Sequence, residues 1–256
     1  MSYQFVEVGS AGGVGRLTIA NGPYNVLTIA AMEEAVAGLR ELESDREVKV
    51  IVAGAAGTKA FSAGVDVADH TPEKMDHMLG IFNELCLGLR HSPKPTIAAV
   101  RRMALGGGCE LAACCDMVIA SDQATFGQPE IKVGVYPVLG VALFAQILGQ
   151  KAANELLLSG MSYTAEEARA FGLANRVVPD DQFDAEVEAY VGRFLVNSGL
   201  VMSLTKKAIL ASAGKETMAA VAAAEDIYVR ELMVTADANE GLQAFIGKRK
   251  AVWTES

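Results

Sequence analysis

Two glutamates stand beside unusual neighbours. Glu110 follows three consecutive glycines in ALGGGCELAACCD (104–116), and Glu130 follows Gln128-Pro129 in TFGQPEIKVGVYPVLG (125–140). Glycine in a helix costs about 1 kcal/mol relative to alanine, so a triplet beside helix-forming residues needs a reason. The first N–H groups of a helix starting near Gly107 lack internal partners and carry the positive end of its dipole. Glycine lets a ligand come close to them. Such a place suits a bound phosphate or an oxyanion that forms only during reaction. A tight strand-to-helix packing turn explains the same residues equally well. A carboxylate one turn into that helix is tolerated and partly stabilised by the dipole, and Pro129 stiffens the approach to Glu130 and helps fix its direction. A third stretch, KAFSAGVDVAD (59–69), sets Ala63-Gly64 before Val65-Asp66 and offers further accessible backbone N–H groups.

The elements around these stretches read as strands followed by helices. YQFVEVG and GRLTIAN form a strand pair across a glycine-rich turn at 10–13, a hairpin rather than a dinucleotide loop because no helix follows. Thr28 caps a helix in which Met32, Ala35, Val36, Leu39 and Leu42 recur at helical spacing. VKVIVAGA (48–55) is a continuous apolar run, as in a strand buried on both faces. A loop over residues 57–70 leads to a helix over 72–90. PTIAAV (95–100) is a strand, the glycine triplet opens the next helix, and MVIAS (117–121) is a strand again. Val133 to Gln150 carries no charge and reads as a buried helix entered from a proline turn rather than a membrane span, for which it is barely long enough. Thr164 and Glu167 form a capping box with Gly172 as the stop, and NRVVP is a last short strand. From Asp180 the chain reads as helix, including one long segment over 215–236.

Composition excludes several classes. The 256 residues are 51% hydrophobic with net charge −9, enough for one substantial core and against nucleic acid, whose phosphates demand clustered Lys and Arg. The mean hydropathy of +0.26 favours burial between subunits. The four cysteines have no CxxC or disulfide-like spacing, as in a reducing compartment. The histidines His70, His77 and His91 do not form a metal set, so no metal is expected. The opening MSYQFVEVGS has no basic region followed by an apolar one, so no signal peptide is expected. A soluble cytoplasmic protein, not bound to membrane, is the resulting expectation. Cys109 reads as a small buried residue rather than a nucleophile, because no histidine is placed to activate it.

Taken together, AFSAGVD, ALGGGCELAACCD and FGQPEIKVG, in this order and at these separations, resemble the enoyl-CoA hydratase/isomerase (crotonase) family. The resemblance runs from NVLT (25–28) to FIGKRKAVW (245–253). It implies an α/β fold: a crotonase-like spiral of ββα repeats over residues 1–196 that binds acyl-CoA, and a helical region over 197–256 that joins homotrimers, often paired into homohexamers. It implies an acyl-CoA thioester whose carbonyl oxygen sits between the backbone N–H groups of Val65 and Gly107, with Ala63, Gly64, Asp66 and Gly106 around it. Members that hydrate hold one water between two glutamates, at positions matching Glu110 and Glu130. One division makes Glu110 the base toward water and Glu130 the acid toward the α-carbon. Phe245 and Lys248 match positions that help hold coenzyme A, which belongs to the substrate; no separate cofactor is implied.

Within the family, FSAGVDVADHT and GQPEIKVGVYP look more like hydratases of cyclohexa-1,5-diene-1-carbonyl-CoA, from aromatic-acid degradation, than like fatty-acid enzymes. Where members commonly carry glycines after QPE, this chain has Pro137-Val138-Leu139-Gly140-Val141, and the larger side chains of that turn, Pro137 and Val138 among them, would reshape the acyl pocket. Arg102 stands where members usually have glycine, with no role evident from sequence. The expectation is hydration of a 2-enoyl-CoA or cyclic dienoyl-CoA. Straight-chain hydration in β-oxidation, enoyl-CoA isomerisation and an inactive acyl-CoA-binding scaffold are the alternatives.

Overall fold

The computed structural model describes residues 3–256, so the first two residues of the opening segment lie outside it. β1 (Val6–Ala11) and β2 (Val14–Ile19) form the expected hairpin, turned by Gly12 and Gly13 at φ of +58° and +86°. α1 (Ile29–Ser44) starts at Thr28, whose hydroxyl accepts from Ala31 N at 3.2 Å. Its buried residues include Met32, Ala35, Val36, Leu39 and Leu42, the stripe that the spacing predicts.

Three ββα repeats follow. β3 (Val50–Ala55), β4 (Ala60–Ser62) and α2 (Met75–His91) make the first. β5 (Thr96–Val100), β6 (Met103–Leu105) and α3 (Gly107–Cys114) make the second. β7 (Met117–Ser121), β8 (Thr125–Gly127) and α4 (Val138–Leu148) make the third. After them come α5 (Gln150–Ser159), β9 (Ser162–Thr164), α6 (Ala165–Ala170), β10 (Arg176–Val178) and α7 (Phe183–Leu195). The first strand of each repeat joins one sheet, in the order β1-β2-β3-β5-β7-β10, parallel from β2 onward. The second strands form another sheet with β9, in the order β4-β6-β8-β9. The chain therefore steps from one sheet to the other in every repeat.

The second sheet departs from the sequence reading, which places a loop at 60–62 and no strands at 103–105, 125–127 or 162–164. Its members are three residues long, too short for any alternation to show. The long helix expected over 215–236 also breaks. α9 (Thr217–Ile227) runs into a wide turn at Tyr228–Leu232, and α10 (Ala236–Ile246) begins afresh at Thr235, whose hydroxyl accepts from Ala238 N. A threonine that takes over a backbone donor in this way starts a helix instead of continuing one. The uncharged run 133–150 yields a helix only from Val138 to Leu148. It enters at Pro137 as expected, but its outer face is exposed at Val138 and Val141, and only Leu139, Gly140 and Phe144 are buried.

α8 (Gly199–Ser212) is fastened to the core by Lys206, 7% exposed, whose ammonium meets Asp116 at 2.7 Å and the carbonyls of Leu89 and Lys94. Burying that charge is tolerable because every donor finds an acceptor. The chain end folds back: Trp253 donates to Val196 O, while Thr254 and Glu255 donate to buried Asp237. Among the described residues no single helix is long and apolar enough to cross a membrane, and no group of His, Cys, Asp or Glu is arranged to hold a metal ion.

Candidate active site

Pairing of β4 with β6 and of β6 with β8 brings the three motif stretches to one place. Gly64 has φ of +102°, and a side chain there would meet Leu105 O at 2.9 Å and Gly107 N at 3.4 Å. The backbones of the 59–69 and 104–116 stretches are therefore in direct contact. Leu27 holds the 59–69 stretch: Leu27 N donates to Gly64 O at 2.9 Å, and Asp66 N donates to Leu27 O at 3.1 Å. Val65 sits between those two bonds. Among the described residues, neither Val65 N–H nor Gly107 N–H donates to a protein acceptor, whereas Cys109 and Glu110 both donate to Gly106 O. The structure so brings two unpaired donors together, with Gly107 at the start of α3.

Each glycine of the triplet answers to a different neighbour. A Cβ on Gly106 would reach Glu130 Oε1 at 2.4 Å; one on Gly107, Val65 Cγ2 at 2.8 Å; and one on Gly108, Ser62 O at 2.5 Å. The packing reading of the stretch holds, because α3 packs tightly on β4, while the Gly107 N–H at its start stays unpaired.

Glu110, 3% exposed, accepts from Gly140 N at 2.7 Å, with Leu139 N–H as a second donor. The N-terminus of α4 thus points at a carboxylate on α3. Burial still dominates: it pushes the Glu110 carboxyl up to about 7, the nearby Glu130 charge adds to the rise, and the two α4 donors only oppose it. Glu130, half-buried on the turn Pro129–Val133, is also raised by burial, against its own backbone N–H and the charge of His70. Gln128, wholly buried, has its amide oriented by these neighbours: with its nitrogen toward Glu130 it donates to both carboxylate oxygens, at 2.9 and 3.2 Å. Two carboxyls with raised pKa values beside two free N–H donors can take a proton from one reactant atom and return it to another.

The remaining expected residues take distinct places. Asp66 caps the turn Val67–Asp69 by accepting from Ala68 N, and exposed His70 sets its Nδ1 3.0 Å from Asp66 O. Ala63 is exposed beside Gly64 and donates to Tyr24 O. Pro137 is buried at the entry to α4, with Val138 exposed next to it. Phe245, 85% exposed, and Lys248 lie at the end of α10, which packs on α8, and make none of the contacts that join the glutamates. Burial pushes the Cys109 thiol well up, which leaves it a neutral packing group. A cavity of about 760 Å³ lies apart from the glutamates, walled by Met117, Phe194, Met202, Leu232 and Trp253 between α8, α10 and the core.

Sequence reasoning misses Gln128, Leu139 and Gly140 as partners of the carboxylates. Gln128 carried a readable signal, since an amide directly before Pro-Glu can reach that glutamate. Gly140 carried none, because its bond to Glu110 spans thirty positions. Arg102, left without a role by the sequence, forms a two-pronged ion pair with Asp180, both of whose carboxylate oxygens it reaches.

A family model described as enoyl-CoA hydratase/isomerase matches residues 9–256. A protein of Rhizobium meliloti (strain 1021) named probable enoyl-CoA hydratase is 37% identical over 257 residues, covering 98% of both chains. A protein of Syntrophomonas wolfei subsp. wolfei named crotonyl-CoA hydratase is 33% identical, covering 88% of this chain and 86% of its own. The crystal structure of an enoyl-CoA hydratase from Mycobacterium smegmatis superposes with a TM-score of 0.91 at 31% identity, covering 98% of this chain and 99% of that one. On the match along nearly its whole length, the chain belongs to the enoyl-CoA hydratase/isomerase family.

Proposed function

We propose that this protein is an enzyme that adds water across the conjugated double bond of an enoyl-CoA thioester. The observation that carries the reading is the pair Glu110 and Glu130, both raised in pKa, beside the free N–H groups of Val65 and Gly107. The thioester oxygen accepts from those two donors. Ionised Glu110 takes a proton from water as the oxygen attacks the β-carbon, and the displaced electron pair moves through the α-carbon to the thioester oxygen. Protonated Glu130 then delivers its proton to the α-carbon as the enolate collapses. Each donor is worth on the order of 3 kcal/mol once charge develops on that oxygen. The two carboxyls feel each other's charge, so their proton affinities belong to the pair.

The favoured acyl group is cyclohexa-1,5-diene-1-carbonyl. Its support is the apolar turn Pro137–Val141, whose Val138 directly precedes the donors to Glu110. The straight-chain reading has support of its own in the relative named crotonyl-CoA hydratase. Phe245 and Lys248 would reach coenzyme A from a neighbouring subunit, in a trimer or hexamer joined through residues 197–256. A cytoplasmic setting fits four free cysteines.

Incubation with crotonyl-CoA and, separately, with the cyclic dienoyl-CoA, followed by mass, tests the reading. Gain of one water on the cyclic substrate alone supports the favoured acyl group, and gain on crotonyl-CoA supports the straight-chain one. An unchanged mass with a moved double bond means isomerisation. No reaction with either leaves a binding scaffold.

A further inference from the structure

The two glutamates arrive on parallel routes. Arg101 and Arg102 carry the chain from β5 to β6, which delivers Gly106, Gly107 and Glu110. Asp122 to Ala124 carry it from β7 to β8, which delivers Gln128 and Glu130. β6 and β8 have only three residues each, paired from Met103 with Thr125 to Leu105 with Gly127. A ladder that short fixes its own position weakly.

One residue grips both routes at their starting ends. Asp180 follows β10, which pairs with β7, and Asp122 N donates to Val178 O at 2.8 Å, so its backbone is placed before its side chain engages. On the first route, Arg102 reaches both Asp180 oxygens, Arg101 Nε donates to Oδ1 at 3.2 Å, and Arg101 Nη2 donates to the Asp180 carbonyl at 3.0 Å. On the second, Ser121 Oγ donates to Oδ1 at 2.8 Å, and Asp180 N donates to Asp122 Oδ1 at 3.2 Å. The forked arginine contact fixes direction as well as distance. The charged side chains are a quarter to a third exposed, and ion pairs of that kind add little to global stability. Their consequence is local.

We propose that Asp180 is a positioning residue for the paired glutamates: through Arg102 it sets the strand leading to Gly106–Glu110, and through Ser121 the strand leading to Gln128–Glu130. One carboxylate at the seam between the sheets thereby fixes the spacing of two others in the site. The kinetic part of this proposal rests on the hydratase reading; the geometric part does not.

The test compares wild type with Asp180→Asn, Arg102→Gln, Ser121→Ala and the double variant Asp180→Asn/Arg102→Gln. Two quantities are read: kcat and KM for enoyl-CoA hydration, and the midpoint of Glu110 ionisation in the ligand-free protein, taken from its infrared carboxyl band by difference against Glu110→Gln. The groups facing Glu110 are Glu130 and the Gly140 and Leu139 N–H donors, with the buried thiols of Cys86 and Cys109 near it. Loss of positioning lets the carboxyls separate, so the midpoint falls by about half a pH unit or more. It falls in the same direction in Asp180→Asn and Arg102→Gln, whereas a direct field effect would move it oppositely, because the two lose charges of opposite sign. kcat falls about tenfold or more with KM within about twofold, and the double variant is no worse than Asp180→Asn. A midpoint that stays in place, opposite shifts, or additive losses in the double variant overturns the proposal. If wild type adds no water to any substrate, the hydratase reading fails and the infrared midpoints alone decide whether Asp180 positions the pair.

Discussion

Gly106 and Glu130 are in contact: a methyl group on Gly106 would lie 2.4 Å from Glu130 Oε1 and 3.3 Å from its Cδ. Gly106 also holds φ of +52° and ψ of −127°, a combination that side-chain-bearing residues rarely adopt. The residue that opens α3 therefore abuts the carboxylate brought in by the next repeat. This contact explains why the first glycine cannot be replaced even by the smallest side chain without moving the proposed acid.

Gly106→Ala is expected to displace the Glu130 carboxylate while the large sheet stays intact. Hydration should fall about a hundredfold, the loss that goes with a misplacement of about 1 Å. Circular dichroism should remain that of the wild type. Full activity in this variant would mean that Glu130 does not act from the position it holds in the ligand-free chain.

Glu110→Gln and Glu130→Gln each remove one proton carrier and keep the shape. Each should lower kcat by about a hundredfold to ten-thousandfold, and the double variant should be little worse than either, since in the proposed mechanism the two handle one water as a unit. Steady-state rates of the three variants measure this, and multiplying losses would assign the glutamates to independent tasks.

The raised Glu110 pKa has consequences for both rate and stability. As a base Glu110 must be ionised, so kcat/KM should fall on the acid side with a midpoint near 7, an apparent value shared with Glu130. For stability, the folded pKa of about 7 lies above the ordinary 4.5, so the folded chain holds this proton more tightly than the unfolded one. The contribution is fully favourable below 4.5 and is lost as pH rises to about 7, amounting to about 3 kcal/mol. Glu110→Gln should accordingly melt higher than wild type near pH 8, with the gap closing toward about pH 5. Thermal scans at both pH values read it, and a constant gap would mean that Glu110 is not held neutral by burial.

Much of this architecture was legible because it is written locally. Thr28, the Thr164–Glu167 box and the Gly12-Gly13 turn act within a few positions of themselves. The run Val50–Ala53 is buried throughout, as an uninterrupted apolar strand should be. The small sheet was not legible, since AFS, MAL, TFG and SYT hold too few residues for a period. The candidate site divides the same way. Its glycines and glutamates lie inside three compact stretches, but what tunes them comes from far along the chain. Gly140 reaches Glu110 and Asp180 reaches Arg102 only after the repeats have stacked.

The end of α10 presents Phe245 and Ile246 at 85% and 73% exposure, with Leu242 and Val252 also exposed. In the proposed trimer or hexamer this apolar surface would be covered by a neighbouring subunit. Phe245→Asp with Ile246→Asp should reduce the assembly to smaller species in analytical ultracentrifugation. If Phe245 also reaches a neighbour's coenzyme A, KM should rise in the dissociated protein. An unchanged mass would take the assembly surface away from α10.

Acyl selectivity should respond to Val138 and Val141. Both are exposed on the first turn of α4, at 41% and 54%, and flank Leu139 and Gly140, the donors to Glu110. On the proposed reading that this exposed turn borders the acyl group, truncating the two valines enlarges the pocket without removing the backbone N–H groups that reach Glu110. A missing methylene in such a pocket is worth about 1–3 kcal/mol, or roughly tenfold to two-hundredfold in discrimination. Val138→Ala with Val141→Ala should therefore lower kcat/KM for a cyclic dienoyl-CoA by at least about tenfold relative to crotonyl-CoA. Competition between the two substrates in one vessel measures that ratio directly. A ratio that does not move would show that the apolar turn leaves acyl choice alone, and would shift the search for ring recognition to the loop that follows Val65.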